Sequence, residues 1–324
     1  MPESFLPNTV WLLDGAGRGE TMPWRIGEPL PAPNPILWIH LSYADPDVQE
    51  WLPHANFLDK PLAQALLDEE SRPRVLHHGN GLFLTLRDVN LNPGAEPEDM
   101  VSLRLWIEDG YVISTRMRQL KCIREIQSLL GDGLGPRSTG EFLVMLLSLM
   151  TGNIGSVIEE LEDQMAEVEE QIFEQRGTRA RHILADLRRQ AIALRRYLGP
   201  QREALSRLVT ERVPWMSTDD HFRIRETADA LIRHIEDLYA MRERAALAHE
   251  ELVNHVSEQL NQRMFLLSVV TVIFLPLGFL TGLFGINVGG IPGADSPLGF
   301  AAFCLGMVVV VAGIVWLFKR NRWL

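Results

Sequence analysis

The chain has 324 residues, an ordinary apolar fraction of 46% and a formal net charge of −11. That length leaves room for a soluble domain and something more. The acidic balance excludes nucleic acid as a partner, because neutralising phosphate needs a basic surface. Two lone cysteines, Cys122 and Cys304, exclude a disulfide framework and a Cys-x-x-Cys metal site.

The N-terminus, MPESFLPNTVWLLDG, carries Glu3 and no basic flank before its apolar run. It does not read as a signal peptide, so the N-terminal part is expected in the cytoplasm. Over 1–117, short runs rich in β-branched and aromatic residues predict strands at 10–14, 36–42, 74–78, 82–89, 101–109 and 111–116. Asp109-Gly110 reads as the tight turn of a hairpin. ADPDVQEWLP and DKPLAQALLDEE fit short helices with acidic first turns. The expectation is a small α/β domain.

Over 118–217 the strand signal disappears, and 141–175 and 178–211 read as two long helices. The run IEELEDQMAEVEEQIFEQ (158–175) is strongly acidic, with Leu161, Met165, Val168 and Ile172 at helical spacing. An amphipathic helix with a solvated acidic face accounts for it. A sink that raises the local cation concentration is the alternative.

Val213-Pro214 ends the second helix, and Ser217-Thr218-Asp219-Asp220 supplies cap chemistry for the next. Neither Gly nor Pro occurs between Pro214 and Pro276. One stalk helix is therefore expected over 218–284, on the order of 100 Å long. Its apolar stripe of Ile224, Ala228, Leu231, Ile235 and Leu238 requires neighbours.

Met264–Phe284 and Gly299–Phe318 contain no charged residue. Each is about 20 residues, or roughly 30 Å of helix, which matches the hydrocarbon of a bilayer. Two transmembrane helices are predicted, at 264–284 and 299–318, joined by a loop over 285–298. That loop has no Lys or Arg, whereas the tail 319–324 carries Lys319, Arg320 and Arg322. The positive-inside bias puts both termini in the cytoplasm and the loop outside.

Two helices from one chain cannot enclose a wet path, so a conducting assembly needs several copies around an axis. Stepping from Asn261 by three and four collects Met264, Ser268, Thr271, Leu275, Gly278 and Gly282, most of the first span's polar and small residues. This is the candidate pore-lining stripe. The hydroxyls of Ser268 and Thr271 could instead bond backbone carbonyls of their own helix. The same stepping backwards reaches Glu250 and Glu243, which would form cation-attracting rings or else pair with neighbouring arginines. After the span, the small Gly285 and Ile286 with the Asn287 amide form a candidate outer mouth that hydrogen-bonds a hydrated ion; Mg²⁺, for one, dehydrates reluctantly.

The stretch FLPLGFLTGLFGIN, with Asn261, Met264 and Leu267 upstream, resembles the CorA family of divalent-cation channels and transporters. The resemblance extends over the whole chain, and its specificity rests mainly on Pro276–Asn287. It implies an α+β membrane protein with an N-terminal cytoplasmic α/β domain, a long helical stalk and two C-terminal transmembrane helices. It further implies a homopentameric funnel whose first span lines the pore. By position, Gly285, Ile286 and Asn287 match the family's mouth; Asn261, Met264, Leu267 and Leu275 match its inner polar position and hydrophobic constriction. Ile286 stands where the family has Met, Phe284 where it has Tyr, and Gly278 where a hydroxyl is common.

The Ile variant resembles the zinc-associated ZntB branch, which implies Zn²⁺ transport across a bacterial inner membrane. A Mg²⁺/Co²⁺ channel of the CorA type is the alternative, with Ni²⁺ a further possible cargo. Lipid and a second copy of the chain are the expected partners besides the ion. No phosphate-binding Gly-rich loop appears, so direct ATP drive is not expected; as a transporter of this kind the chain is expected to be no enzyme and to hold no resident cofactor. No high-affinity His/Cys metal site is predicted either: His77-His78, His249 and His255 do not share a helical face.

Overall fold

The structure is a computed structural model and describes residues 8–33, 35–69, 72–173, 180–285 and 296–321. The chain divides into two compact units, Met1–His249 and Glu250–Leu324.

The first unit is built on a seven-stranded mixed sheet. Its strands are β1 (Thr9–Leu13), β2 (Gly19–Met22), β3 (Ile36–Ser42), β4 (Arg74–His78), β5 (Gly81–Asp88), β6 (Val101–Glu108) and β7 (Tyr111–Arg116), in the order β2-β1-β3-β7-β6-β5-β4. Only β3 and β7 run parallel; the other pairs are antiparallel. Asp109-Gly110 makes the two-residue turn between β6 and β7, with Gly110 at φ 75°, a conformation glycine adopts without strain.

Strand β3 is buried at all seven positions because both sheet faces are covered. On one face, Leu37, Ile39 and Leu41 join Phe83, Trp106 and Ile113 under Val48 and Leu52, with Ala63 and Leu66. Val48 lies in helix α1 (Pro46–Trp51), Leu52 in the 3-10 turn that follows, and Ala63 and Leu66 in α2 (Lys60–Leu67). The other face packs on α3 (Lys121–Asp132) and α4 (Thr139–Phe173), where Trp38 meets Phe142 edge-on at 5.0 Å.

A chain of polar groups inside this second face pairs His40, Ser114, Trp38 and Arg116. Arg116 Nε donates to His40 Nε2 at 2.7 Å. The imidazole therefore carries its proton on Nδ1 and donates it to Ser114 Oγ at 2.7 Å. Trp38 Nε1 donates to the same oxygen at 2.9 Å. Burial, together with Arg116, holds His40 well below the ordinary histidine range, so it stays neutral. Replacing Ser114 with Ala should leave two buried donors without an acceptor and cost about 2 kcal/mol. A thermal melt followed by tryptophan fluorescence checks this, and an unchanged midpoint would contradict it.

Helix α4 turns Leu161, Met165, Val168 and Ile172 inward and leaves most of its carboxylates exposed. Helix α5 (Ala180–Thr210) buries Leu184, Leu187, Leu194 and Leu198. Helix α6 runs unbroken from Thr218 to Phe284. It starts on a reciprocal cap in which Asp220 N donates to Ser217 Oγ at 3.1 Å and Ser217 N donates to Asp220 Oδ2 at 2.8 Å. Its stripe of Ile224, Ala228, Leu231, Ile235 and Leu238 is buried, and Arg244 grips Glu169 of α4 with Nη2–Oε2 at 2.6 Å.

Two elements were not expected from the sequence, β2 and α3. Strand β2 is short and polar (GETM) and exists through its pairing with β1. Helix α3 begins at Leu120 with no side-chain cap, which removed the usual start signal, and buries Cys122, Ile123, Ile126 and Leu130.

The second unit holds the C-terminal part of α6 and helix α7 (Gly299–Arg320). Among the described residues, three helices are long and apolar enough to cross a membrane. In α4, 67% of the apolar stretch is buried within the protein, as befits a core helix, whereas no residue in the apolar stretches of α6 and α7 is fully buried.

Candidate functional site

The membrane-length part of α6 has two unlike faces. Val269, Ile273, Pro276, Leu277 and Leu280 are half-buried and fall on one side of the helix. The facing residues of α7 are also part-covered: Phe303, Met307, Val310, Val311 and Ile314 are half-buried and Phe318 is buried. Phe284 and Phe303 bring their rings to 5.3 Å. At 3.6 residues per turn, the stripe of Met264, Ser268, Thr271, Leu275, Gly278 and Gly282 lies about 180° from that covered side. Asn261 and Leu267 flank it. Every one of these eight residues is exposed in the single chain, with Met264, Leu267 and Leu275 each about two-thirds exposed. So long an apolar surface requires lipid or further copies to cover it.

The hydroxyls on the stripe are spoken for in one direction only. Ser268 Oγ donates to Met264 O and Thr271 Oγ1 to Leu267 O, both at 2.8 Å. This is the backbone-bonding arrangement that the sequence left open against a pore role, and the two are compatible. With the proton committed to the helix, each hydroxyl oxygen faces outward as an acceptor. Water bound to a cation points its hydrogens away from the ion, so acceptors are what a hydrated cation needs.

At the end of the helix Gly285 N donates to Thr281 O at 2.9 Å. A Cβ on Gly285 would sit 2.8 Å from that carbonyl oxygen, which is why a residue without a side chain leaves the helix here. Ile286 and Asn287, the rest of the proposed mouth, lie outside the described residues.

Glu243 and Glu250 are exposed, and among the described residues neither forms an ion pair. The nearby Arg244 is engaged with Glu169, and Arg242 lies over Tyr239. The histidines are used locally: His77 Nδ1 meets Glu211 at 3.0 Å, His78 Nε2 meets Asp59 at 2.7 Å, and His255 approaches Glu251 at 3.7 Å. Among the described residues no three His, Cys, Asp or Glu side chains converge as a metal site.

A group the sequence reading passed over lies in the first unit. Asp88, at the end of β5, is fully buried between α3 and α4. Val89 N donates to its Oδ1 at 2.9 Å, Asn153 Nδ2 to its Oδ2 at 3.2 Å, and the Cys122 thiol also bonds it. Burial pushes its carboxyl up to about 7, against those donors, with Glu125 adding to the rise. The Cys122 thiol is itself pushed well above the ordinary range by burial and by Asp88, so it is inert.

Residues 34–320 match the family described as CorA-like Mg²⁺ transporter protein. A relative named zinc transport protein ZntB, from Pectobacterium carotovorum subsp. carotovorum (strain PC1), is 40% identical over 287 residues, which is 89% of this chain and 88% of that protein. The solved structure of the full-length CmaX protein is 38% identical with a TM-score of 0.84, covering 99% of this chain and all of its own. The complete CorA magnesium transporter of Methanocaldococcus jannaschii is 19% identical with a TM-score of 0.81 at the same coverage, a likeness of fold.

Proposed function

This chain belongs to the CorA family of metal-ion transporters, and from that premise we propose that it is a homopentameric Zn²⁺ transporter of a bacterial inner membrane. It is a divalent-cation transporter and not an enzyme. The observation that carries the reading is the two-faced α6. One side is covered by α7, while the opposite side presents acceptor oxygens, glycines and uncovered Met264, Leu267 and Leu275. Copies of that side turned toward a common axis give a narrow path with carbonyl-bonded hydroxyls at its middle. Five is the number that the family resemblance implies.

In this reading Asn287, with Gly285 and Ile286, receives the hydrated ion at the outer mouth, and its amide oxygen accepts from the hydration shell. Glu243 and Glu250 concentrate cations at the inner end. Leu275, Leu267 and Met264 form an apolar constriction that dries and closes when the stalk helices come together. The termini lie in the cytoplasm, since the basic residues Lys319, Arg320 and Arg322 follow α7 and the loop over 285–298 has none.

Zinc as the cargo is supported by relatives near 40% identity that are named zinc transport proteins. The proposed path offers Zn²⁺ no His or Cys, its preferred tight ligands, so the ion passes weakly held and hydrated. Purified protein in liposomes should carry Zn²⁺ faster than Mg²⁺, measured with ion-sensitive dyes trapped inside and repeated with a pH gradient. Flux of Mg²⁺ and Co²⁺ without Zn²⁺ would overturn the zinc reading in favour of a channel of the CorA type.

A further inference from the structure

Beside the contact between α6 and α7 lies an open apolar cleft of about 660 Å³. Leu277 of α6 lines it together with Met307, Val308, Val311, Ala312, Val315, Trp316 and, at one end, Lys319 of α7. We infer that this cleft is a binding site for one anionic phospholipid, with an acyl chain along the apolar wall and its phosphate on Lys319 and Arg320.

Three features select that occupant. The first is height. From Met307 to Lys319 the cleft follows twelve residues of α7, about 18 Å of helix. One leaflet of the hydrocarbon core is about 15 Å thick, so the cleft spans a leaflet and stops where headgroups begin. The second is the small side chain of Ala312 at mid-height, between the branched Val308, Val311 and Val315. It makes a trough that a flexible chain fills without rearrangement of either helix.

The third is charge. All lining residues but one are apolar, and the exception is a lysine at the end that meets the headgroups. Arg320 stands next to it, its guanidinium 5.2 Å from the centre of the Trp316 ring. No carboxylate pairs with Lys319 or Arg320 among the described residues. A cation beside an aromatic ring at the membrane interface attracts the phosphate of an anionic lipid by about 1 kcal/mol per charge. A second protein copy seated here would have to bring its own carboxylate to the same height.

The inference rests on α7 lying in the membrane, and it is independent of which ion is carried. The test uses the full-length chain in detergent, stripped of lipid. Phosphatidylglycerol added to it should raise the thermal midpoint, and phosphatidylcholine should not. Native mass spectrometry should find phosphatidylglycerol retained severalfold over phosphatidylcholine. The double variant Lys319→Gln/Arg320→Gln should lose that preference, and Ala312→Trp, which fills the trough and leaves both charges, should lose retention of either lipid. Equal shifts with the two lipids in the unaltered protein would overturn the inference. So would an Ala312→Cys/Phe274→Cys double variant in a Cys304→Ser background whose disulfide joins two copies in native membranes, since the cleft would then be an interface between subunits. Loss of ion flux in liposomes would touch the transporter reading and leave these lipid measurements unaffected.

Discussion

Asn287→Leu should reduce divalent-cation flux at least tenfold without changing expression, membrane insertion or oligomer size. The mouth is proposed to work by accepting hydrogen bonds from water that stays on the ion. Leu removes the acceptor and offers an apolar surface in its place. One lost hydrogen bond of ~1.4 kcal/mol is worth about tenfold, and each copy around the axis loses one. An Asn287→Asp variant keeps the acceptors and adds charge, so it should retain flux. Liposome flux of purified protein measures all three forms. If Asn287→Leu carries ions as fast as the unaltered protein, the mouth lies elsewhere. If the unaltered protein carries none, α6 and α7 are anchors.

Asp88→Asn should stabilise the protein at alkaline pH and do little at acid pH. The sign follows from proton counting. The folded carboxyl titrates at about 7 and the unfolded one near 3.8, so between those values the folded state holds a proton that the unfolded chain has released. Stability contributed at this position is therefore intact below about pH 4, falls as pH rises through the interval, and is lost above about pH 7. A shift of this size corresponds to roughly 4 kcal/mol. Asn is neutral throughout, so the variant's advantage should grow by that amount from pH 4 to pH 8. Comparing thermal midpoints of the two proteins across this range cancels the other titrating groups. A difference that does not change with pH would mean that Asp88 keeps its charge when buried.

Much of this architecture is legible from the amino acids, for reasons that can be named. The long α6 is readable because nothing between Pro214 and Pro276 breaks a helix, and because its inward stripe recurs at helical spacing. The hairpin at Asp109-Gly110 is readable because a two-residue turn needs positive φ and glycine supplies it. Strand β2 was hidden because an edge strand held by one neighbour needs no apolar alternation. The apolar character of α4 matches that of a span, and only its packing in the first unit sets it apart from α6 and α7.

The buried acid could have been found. In LFLTLRD, Leu82, Leu84 and Leu86 alternate onto one face of β5, and Asp88 continues that alternation inward. The stripe on α6 was visible from spacing alone, but the side that α7 covers was not. Helical periodicity ranks faces by polarity and leaves open which one a neighbour occupies. Spacing also could not show that Ser268 and Thr271 give their protons to the helix, which fixes them as acceptors. The cleft ending at Lys319 depends on how α7 meets Leu277 and has no signature in either segment by itself.

The most direct test of the account asks what Thr271 faces. Cys122 is buried and Cys304 is exposed, so the background should be Cys304→Ser with Thr271→Cys added. In membranes treated with an oxidant, the thiol at position 271 should join copies of the chain as a disulfide. In liposomes, a cationic, membrane-impermeant thiol reagent should modify it and block flux. If it instead reacts only with a lipid-soluble maleimide and never links two chains, α6 turns this face to the bilayer and the ion path is not here.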